Sequence, residues 1–209
     1  MGAALPEPLP DDPLPLVKSW IDDAMTSVRN ATAMTLATVD PDGSPSARMV
    51  ICRGFDWSAG WLVFYTDRES AKGRALDRNP RASLVFYWEP LERQVRIDGP
   101  VTIAPDAQAD AYWSSRPADA RLAAIASEQT RPLASRAALV ERFEAVARRV
   151  TGDVPRPERW IGYRVWAESV ELWVSQPARL HDRARWTRPL ERSGDGFTAG
   201  AWSGTRLQP

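Results

Sequence analysis

The stretch AMTLATVDPDGSPSARMVICRGFDWSAGWLVFYT, residues 33–66, decides the fold. It contains three runs rich in β-branched, apolar and aromatic side chains, separated by two short segments rich in Asp, Gly and Ser. Such segments favour tight turns, so the neighbouring runs become antiparallel strands. The three predicted strands cover residues 34–39, 48–53 and 61–66. The sequence therefore predicts an antiparallel meander.

Strand signals continue beyond this meander. Residues 82–88 and 94–103 give two more strands, and five strands in close succession suggest a barrel. Residues 160–166 and 169–175 return to strand character. Residues 186–189 together with 197–202 are expected to close the sheet.

Helix signals lie around these strands. Asp12 and Ser135 are predicted N-caps, and apolar residues recur at helical spacing after each of them. The predicted helices are residues 13–28, 70–79, 105–113, 117–127 and a stretch from 135 to about 150. The prediction is one α+β domain of residues 13–209, preceded by a flexible N-terminal arm of residues 1–12 that is rich in proline and acidic side chains.

Composition excludes several classes of protein. Lys+Arg and Asp+Glu both number 27, so no global charge favours nucleic acid or an acidic membrane. One cysteine and one histidine cannot supply the three or four ligands of a usual zinc site, and we predict no metal. The chain shows no dinucleotide fingerprint, P-loop or nucleophile elbow. Without a long apolar stretch or signal peptide, we expect a soluble, cytoplasmic protein.

The run RLHDR, residues 179–183, places the single histidine among cationic neighbours. If this run formed a strand, alternation would send Arg179, His181 and Arg183 to one face. Two guanidiniums and an imidazole could then converge on one anionic ligand. Spacing alone also allows a solvated charge cluster.

Several short motifs together resemble a known family. They occur in order between roughly Asp12 and Pro209, and they are residues 48–53 (RMVICR), 64–66 (FYT), 79–81 (NPR), 92–95 (ERQV), 115–117 (SRP), 179–183 (RLHDR) and 206–209 (RLQP). In this order and spacing the chain resembles the pyridoxamine 5'-phosphate oxidases, which are flavin-dependent enzymes. The resemblance implies an antiparallel split β-barrel with flanking helices that binds FMN. It also implies a homodimer with its active sites at the subunit interface.

The resemblance assigns a set of cofactor-binding residues. Arg48 and Lys72 match phosphate contacts, and Gln94 matches an amide at the edge of the isoalloxazine ring. Gln129 and Thr130 match a pair that reaches the FMN of the partner subunit. The full set is Arg48, Met49, Val50, Ile51, Cys52, Arg53, Tyr65, Thr66, Lys72, Gln94, Gln129, Thr130, Trp173 and Arg183. One departure is Ala71, where the family commonly has Arg, and it predicts weaker retention of FMN.

The resemblance also assigns the substrate side. The positions that bind the pyridoxyl phosphate read Arg53, Tyr112, Arg116 and Ala120, where the family has Lys, Tyr, Arg and Ser. Arg53 keeps the charge of Lys, and Ala120 has lost a hydroxyl. Arg179 and His181 match residues that cover and orient the pyridine ring, and we expect them to bind substrate and to take part in catalysis.

The implied activity is oxidation of pyridoxamine or pyridoxine 5'-phosphate to pyridoxal 5'-phosphate, with molecular oxygen as acceptor and hydrogen peroxide as product. Two alternatives stay open. One is a related flavin oxidase of another aromatic metabolite, as in phenazine biosynthesis, where chains end in a similar Arg-Leu-Gln-Pro. The other is a non-catalytic module that binds flavin or pyridoxal phosphate. Longer family members carry a segment that folds over the substrate, and this chain is expected to lack it.

Overall fold

The predicted meander is the first part of a ten-stranded antiparallel sheet in the computed structural model, which describes residues 4–150 and 152–209. Two further strands form a separate hairpin. The strands are β1 Ala33–Val39, β2 Pro45–Ile51, β3 Gly54–Asp56, β4 Trp61–Asp67, β5 Arg81–Trp88, β6 Arg93–Ile103, β7 Trp160–Trp166, β8 Ser169–Val174, β9 Asp182–Thr187, β10 Leu190–Ser193, β11 Gly196–Ala199 and β12 Ser203–Leu207. The helices are α1 Leu14–Ser27, α2 Ala71–Arg78, α3 Asp106–Ser115, α4 Ala118–Ala126 and α5 Arg136–Arg149.

The sheet curls because strand β6 belongs to two parts of it. One path runs in the order β12-β9-β8-β6-β5-β1-β2. A second path joins β3, β4 and β7 and returns to β6. Residues 93–98 of β6 pair with β8, whereas residues 101–103 pair with β7. This arrangement is the predicted α+β split barrel, and the prediction of the fold class is confirmed.

The core fills the inside of the curled sheet. Alternate residues of β1 and β5 are buried, as period-two strands require. Leu36, Leu84, Phe86 and Leu172 are fully enclosed. The indole of Trp88 is also buried, and its Nε1 donates to the carbonyl oxygen of Ala31 at 2.9 Å. Burying this polar group is tolerated because it is hydrogen-bonded.

The helix caps follow the sequence prediction closely. The hydroxyl of Ser135 accepts from the backbone N–H of Ala138 at 3.1 Å. Before α1, the carboxylate of Asp12 accepts from the N–H of Leu14 at 2.9 Å, although Pro13 itself occupies the cap position. Within the described residues, no helix is both long and apolar enough to span a membrane.

The predicted closure of the sheet by residues 186–189 and 197–202 is wrong in its second half. Residues 196–199 form β11, which pairs with β10 in a two-stranded hairpin. Gly194, with φ of +55°, allows the tight turn between them. Residues 196–199 therefore pair with β10 across this turn and not with the main sheet. The last strand of the main sheet is instead Ser203–Leu207, paired with β9.

The N-terminal segment contacts the C-terminal strands. The side chain of Leu5 is buried, and its backbone N–H donates to Asp182 Oδ2 at 2.7 Å. The carbonyl oxygen of Pro10 accepts from Trp186 Nε1 at 2.8 Å. Residues 4–12 are thus docked in this conformation, residues 1–3 lie outside the described residues, and the flexibility of the arm stays a prediction.

Gly99 is expected to be intolerant of substitution, because it lies where β6 passes from β8 to β7. A Cβ at this position would lie 1.8 Å from the carbonyl oxygen of Trp166, which is backbone and cannot rotate away. We expect Gly99→Ala to lower the free energy of unfolding by about 3 kcal/mol. Gly54→Ala is the control, since its Cβ would meet only the Val63 side chain at 3.2 Å. Equal urea midpoints for the two variants would contradict this reading.

Candidate active site

A buried lysine lies at the start of α2, directly after β4. Ser70 caps this helix, and the ammonium group of Lys72 turns back toward the end of β4. Lys72 Nζ donates to Gln129 Oε1 at 2.7 Å, to Thr66 Oγ1 at 3.2 Å and to Ser70 Oγ at 3.3 Å. Each of these acceptors is an uncharged oxygen. A lysine that is 7% exposed is therefore held by neutral partners.

A second cation stands near this lysine. Arg48, on β2, donates to Thr38 Oγ1 at 2.7 Å, to the carbonyl oxygen of Leu36 at 3.3 Å and to the hydroxyl of Ser46. Burial lowers the pKa of Arg48. Burial, and then the charge of Arg48, lower the pKa of Lys72 to about 8. Because burial and the charge of Arg48 disfavour the charged form of Lys72, a bound anion would stabilise this form.

These cations border a cleft that unites the predicted cofactor and substrate residues. Its volume is about 230 Å³. Its lining residues are Met49, Val50, Ile51, Arg53, Tyr65, Thr66, Lys72, Tyr112, Arg116 and Gln129. All ten are among the residues that the sequence predicted. A larger cavity of about 370 Å³, at Asp77, Tyr163 and Arg192, contains none of the predicted site residues.

Aromatic rings form one wall of the cleft. Tyr65 stacks on Tyr112 with ring centroids 4.3 Å apart and on Trp160 at 5.3 Å. The guanidinium of Arg53 lies over the Tyr112 ring at 5.6 Å, and that of Arg116 lies over the Trp160 ring at 5.0 Å. Cation–π contacts of this kind hold both guanidiniums at the cleft. Sequence analysis did not assign Trp160 to the site.

Arg116 is held by the backbone at position 120, where the family has a serine hydroxyl and this chain has Ala120. Its Nη2 donates to the backbone carbonyl oxygen of Ala120 at 3.0 Å, a contact that any residue at this position could make. Its Nε is buried and has no hydrogen-bond partner among the described residues. A buried donor without a partner is costly, and a bound anion would supply the missing acceptor.

Gln129 and Thr130 contact residues of their own chain. Gln129 Oε1 lies 2.9 Å from Thr66 Oγ1, and Thr130 Oγ1 accepts from the N–H of Ala71 at 2.8 Å. Their reach to the FMN of a partner subunit stays a prediction. Sequence analysis missed Arg159, which holds this segment. Its guanidinium binds the carboxylate of Asp67 at 2.8 Å and the carbonyl oxygens at the end of α4. This fold-back brings residues 127–131 over α2.

Cys52 lies outside the cleft lining. Its side chain is 3% exposed, and its Sγ donates to the carbonyl oxygen of Gly54 at 3.4 Å. Burial raises the pKa of this thiol to about 12. The side chain therefore packs in the core as a small apolar group.

The remaining predicted site residues form a second group on β6, β8 and β9. Gln94 is the register partner of Trp173, and Trp173 is the register partner of Arg183. The ring of His181 lies 4.7 Å from that of Trp173, and its Nδ1 accepts from the N–H of Gln176 at 3.2 Å. Along the sheet, β8 is four strand spacings from β2, roughly 19 Å.

The predicted convergence of Arg179, His181 and Arg183 on one face is wrong. Ala178 and Arg179 have φ of 54° and 60°, so the chain turns here, and β9 begins only at Asp182. Arg179 is exposed, whereas Arg183 points to Glu171, with Nη2 2.6 Å from Oε1. Strand alternation does not apply across a left-handed turn.

The curled barrel and its cation-lined cleft define the class of flavin-binding split-barrel proteins. Comparison with known proteins agrees. A family model for pyridoxamine 5'-phosphate oxidase matches residues 21–149, and a model for the pyridoxine 5'-phosphate oxidase C-terminal dimerisation region matches residues 160–209. The chain belongs to the pyridoxamine 5'-phosphate oxidase family. It is therefore a flavin-dependent oxidoreductase.

Individual relatives cover nearly the whole chain. The pyridoxine/pyridoxamine 5'-phosphate oxidase of Gluconobacter oxydans is 47% identical, with 95% of this chain and 94% of the relative covered. The pyridoxine/pyridoxamine 5'-phosphate oxidase of Azorhizobium caulinodans is 49% identical, with 85% of this chain and 84% of the relative covered. Among solved structures, PhzG from Burkholderia lata, in complex with tetrahydrophenazine-1-carboxylic acid, is 33% identical with a TM-score of 0.80, covering 96% and 94%. An FMN-binding protein from Nostoc punctiforme shares the fold at 21% identity and a TM-score of 0.75, covering 95% and 98%.

Lys72 is expected to lower the stability of the ligand-free protein below pH 8. The unfolded chain keeps this proton up to the ordinary pKa of 10.5, whereas the folded chain releases it near 8. The cost is therefore fully present below pH 8 and disappears as the pH rises to 10.5. Relative to wild type, Lys72→Met should gain on the order of 1 kcal/mol more at pH 7 than at pH 10, after solvent screening is allowed for.

Urea unfolding at both pH values measures this difference. The exposed Lys18→Met variant is the matched control for the loss of one lysine, since Lys18 pairs only with its helix neighbour Asp22 at the surface. A pH-independent effect of Lys72→Met would show that the ammonium group carries no such cost.

Proposed function

We propose that the protein is an FMN-dependent oxidase that converts pyridoxamine or pyridoxine 5'-phosphate to pyridoxal 5'-phosphate. Molecular oxygen is the electron acceptor and hydrogen peroxide the second product, and in the amine case water releases ammonia. The observation that carries this proposal is the cleft of about 230 Å³, which is lined by Arg53, Lys72 and Arg116, with Arg48 close enough for its charge to lower the pKa of Lys72. The names of the relatives at 44–49% identity favour the same reaction.

Arg48 and Lys72 would hold the FMN phosphate. Lys72 is buried and Arg48 is half-buried, both donate to neutral oxygens, and the charge of Arg48 lowers the pKa of Lys72. A phosphate dianion would relieve this repulsion and accept charge-assisted hydrogen bonds of roughly 1.5–3 kcal/mol each. Thr66 and Gln129 fix the direction of the Lys72 ammonium. When bound, FMN supplies the hydride acceptor for the reaction.

Arg53, Tyr112 and Arg116 would bind the substrate phosphate at the other end of the cleft. The stacking of Arg53 on Tyr112 and of Arg116 on Trp160 restricts both guanidiniums before substrate arrives. Such preorganisation lowers the entropic cost of binding. Arg53 offers a bidentate fork where the family has Lys, which preserves phosphate recognition but takes more space.

The second group of residues would act in the cleft of a partner subunit. Arg179 is exposed, and it lies with Trp173, His181 and Arg183 inside the segment that matches the dimerisation region. Since this group is far along the sheet from its own cleft, we infer a homodimer in which each chain supplies residues 173–183 to the other. There Arg179 and His181 would cover and orient the pyridine ring.

A second candidate is oxidation of an unphosphorylated aromatic acid. The likeness to PhzG, at a TM-score of 0.80, favours this alternative, as do Arg53 and Ala120 at substrate positions. The pair of Tyr112 and Arg116 beside the cleft argues for a phosphate instead. Substrate turnover decides between the two candidates.

FMN should bind far more tightly than riboflavin. Only the phosphate engages Arg48 and Lys72, and losing two charge-assisted hydrogen bonds should weaken binding by at least about a hundredfold. Titration of flavin fluorescence with the ligand-free protein measures both affinities. Lys72→Met should abolish most of the preference, whereas Lys18→Met should keep it. Equal affinity for the two flavins in wild type would refute the phosphate role of this cluster.

Substitutions at Arg116 and Arg179 should differ in their effect on kinetics. Arg116→Ala removes phosphate binding shared by the ground and transition states, so KM should rise with kcat nearly unchanged. Arg179→Ala should lower kcat as well, because the pyridine ring is less well oriented. Oxygen consumption with pyridoxamine 5'-phosphate and added FMN measures both constants.

The substrates that the wild-type protein oxidises in the same assay distinguish between the candidate reactions. Turnover of an unphosphorylated aromatic acid, with none of either phosphorylated vitamer, would support the second candidate. Binding of FMN without turnover of any of these compounds would indicate a non-catalytic module.

A further inference from the structure

A buried glutamate collects three arginines beside the second group of site residues. Glu171 lies on β8, two residues before Trp173, and is only 2% exposed. Its Oε1 accepts from Arg183 Nη2 at 2.6 Å. Its Oε2 accepts from Arg185 Nη2 at 2.8 Å and forms an ion pair with Arg96 Nη2 at 3.0 Å. One carboxylate thus holds guanidiniums from β6 and β9.

The strand register brings these four charges together. Arg96 and Arg185 are the direct register partners of Glu171 on its two sides. Arg183 and Arg185 lie on the same face of β9, because they are two residues apart. The opposite face of β8 carries Val170, Leu172 and Val174, which are fully buried in the core. The charged face is therefore the face that also carries Trp173.

Arg183 and Arg185 depend on Glu171 more than Arg96 does. Arg96 has a second acceptor in Asp98, at 3.2 Å. Arg185 makes two contacts with Glu171 and is its direct partner across the strands. Arg183 has, besides Glu171, one long contact at 3.4 Å to the carbonyl oxygen of Gln208, and its buried Nε has no partner among the described residues.

The charge balance of the cluster also points beyond a purely structural pair. Burial would raise the pKa of Glu171, but hydrogen bonds from Arg183 and Arg185 and the charge of Arg96 outweigh it and lower the pKa. The carboxylate therefore stays ionised at neutral pH. One such charge could be neutralised by one arginine. Three arginines leave the cluster with a surplus of positive charge next to Trp173. Asp98, which pairs with Arg96, offsets part of this surplus.

We propose that Glu171 is a positioning residue that fixes the guanidinium of Arg183 for the flavin bound in the partner subunit's cleft. This proposal rests on the proposed function, which assigns Arg183 to the flavin. The carboxylate fixes the position of the Arg183 guanidinium. Arg96 and Arg185 keep this carboxylate ionised and in place. Glu171 itself is not a catalytic residue, because it is enclosed by the arginines.

A double-mutant cycle tests this role. Glu171→Gln keeps the size but turns an amide N–H toward arginine donors, so Arg183 should lose its fixed position. We expect FMN binding to weaken about tenfold in Glu171→Gln and at least as much in Arg183→Met. In the Arg183→Met background, Glu171→Gln should add less than about a twofold further loss, because the residue through which it acts is gone.

The midpoint potential of bound flavin gives a readout that a merely structural role would not move. A positive charge near the flavin stabilises its reduced, more negative form. The potential should become more negative in Arg183→Met. It should become more negative in Glu171→Gln as well, because displacement of the Arg183 charge from the flavin outweighs the loss of the more distant carboxylate charge. Arg148→Met is the control for the loss of one arginine, since Arg148 pairs with Glu144 on the exposed surface of α5. It should leave the affinity within about twofold of wild type and the potential unchanged.

The outcomes separate this proposal from the proposed function. If Glu171→Gln weakens FMN binding equally with and without Arg183, Glu171 acts on the fold and not through Arg183. An unchanged affinity in Glu171→Gln also overturns the proposal. If Glu171→Gln does not fold, Glu171→Asp is placed in the same cycle. Failure of wild type to bind FMN would instead overturn the proposed function.

Discussion

Strand β6 is the constraint on which the rest of the structure depends. Its 11 residues pair with β5 on one side and with β8 and then β7 on the other. This change of partner at Gly99 requires a backbone approach that leaves no room for a side chain. Because β7 in turn pairs with β4, the change of partner fixes where β4 ends and where α2 begins. The position of Lys72, and with it the phosphate end of the cleft, follows from a backbone contact on another strand.

The distribution of charge distinguishes the cleft from the rest of a chain whose formal net charge is zero. Several arginines elsewhere are matched with carboxylates: Arg156 binds Asp106 at 2.7 Å and Asp110 at 2.6 Å. Lys72 and Arg48 are bonded to hydroxyl, amide and carbonyl oxygens instead. The protein thus accepts a cost in stability that a bound anion would offset. A chain with zero net charge can therefore still carry a local excess of positive charge that favours an anion.

Much of the fold and of the cleft could be predicted from sequence, because those parts rest on local patterns. Alternation and turn residues define β1, β4 and β5, and the Ser135 cap defines the start of α5. Seven of the ten residues that line the cleft come from the motifs RMVICR, FYT and SRP, in which neighbours in sequence remain neighbours in space. Sequence analysis misses features that depend on a single backbone torsion or on a partner distant in sequence. The left-handed Arg179 ends the alternation that residues 179–183 suggest. Arg159 pulls residues 127–131 back onto α2, and no local pattern indicates this. Glu171 did carry a signal, as an acid inside an apolar strand, but its partners follow only from the register.

At two of the three departures from the family pattern, positions 71 and 120, a backbone group makes the contact. At position 71, where the family commonly has Arg, the N–H of Ala71 donates to Thr130 Oγ1 at 2.8 Å, so the segment over α2 stays in place although one cation is absent. At position 120 the carbonyl oxygen holds Arg116. At position 53 the larger guanidinium is accommodated by lying over Tyr112. The geometry of both phosphate ends is thus preserved by contacts that do not depend on the substituted side chains. What changes is the number and shape of the donors offered to a ligand, and this is the quantity that sets affinity and substrate choice.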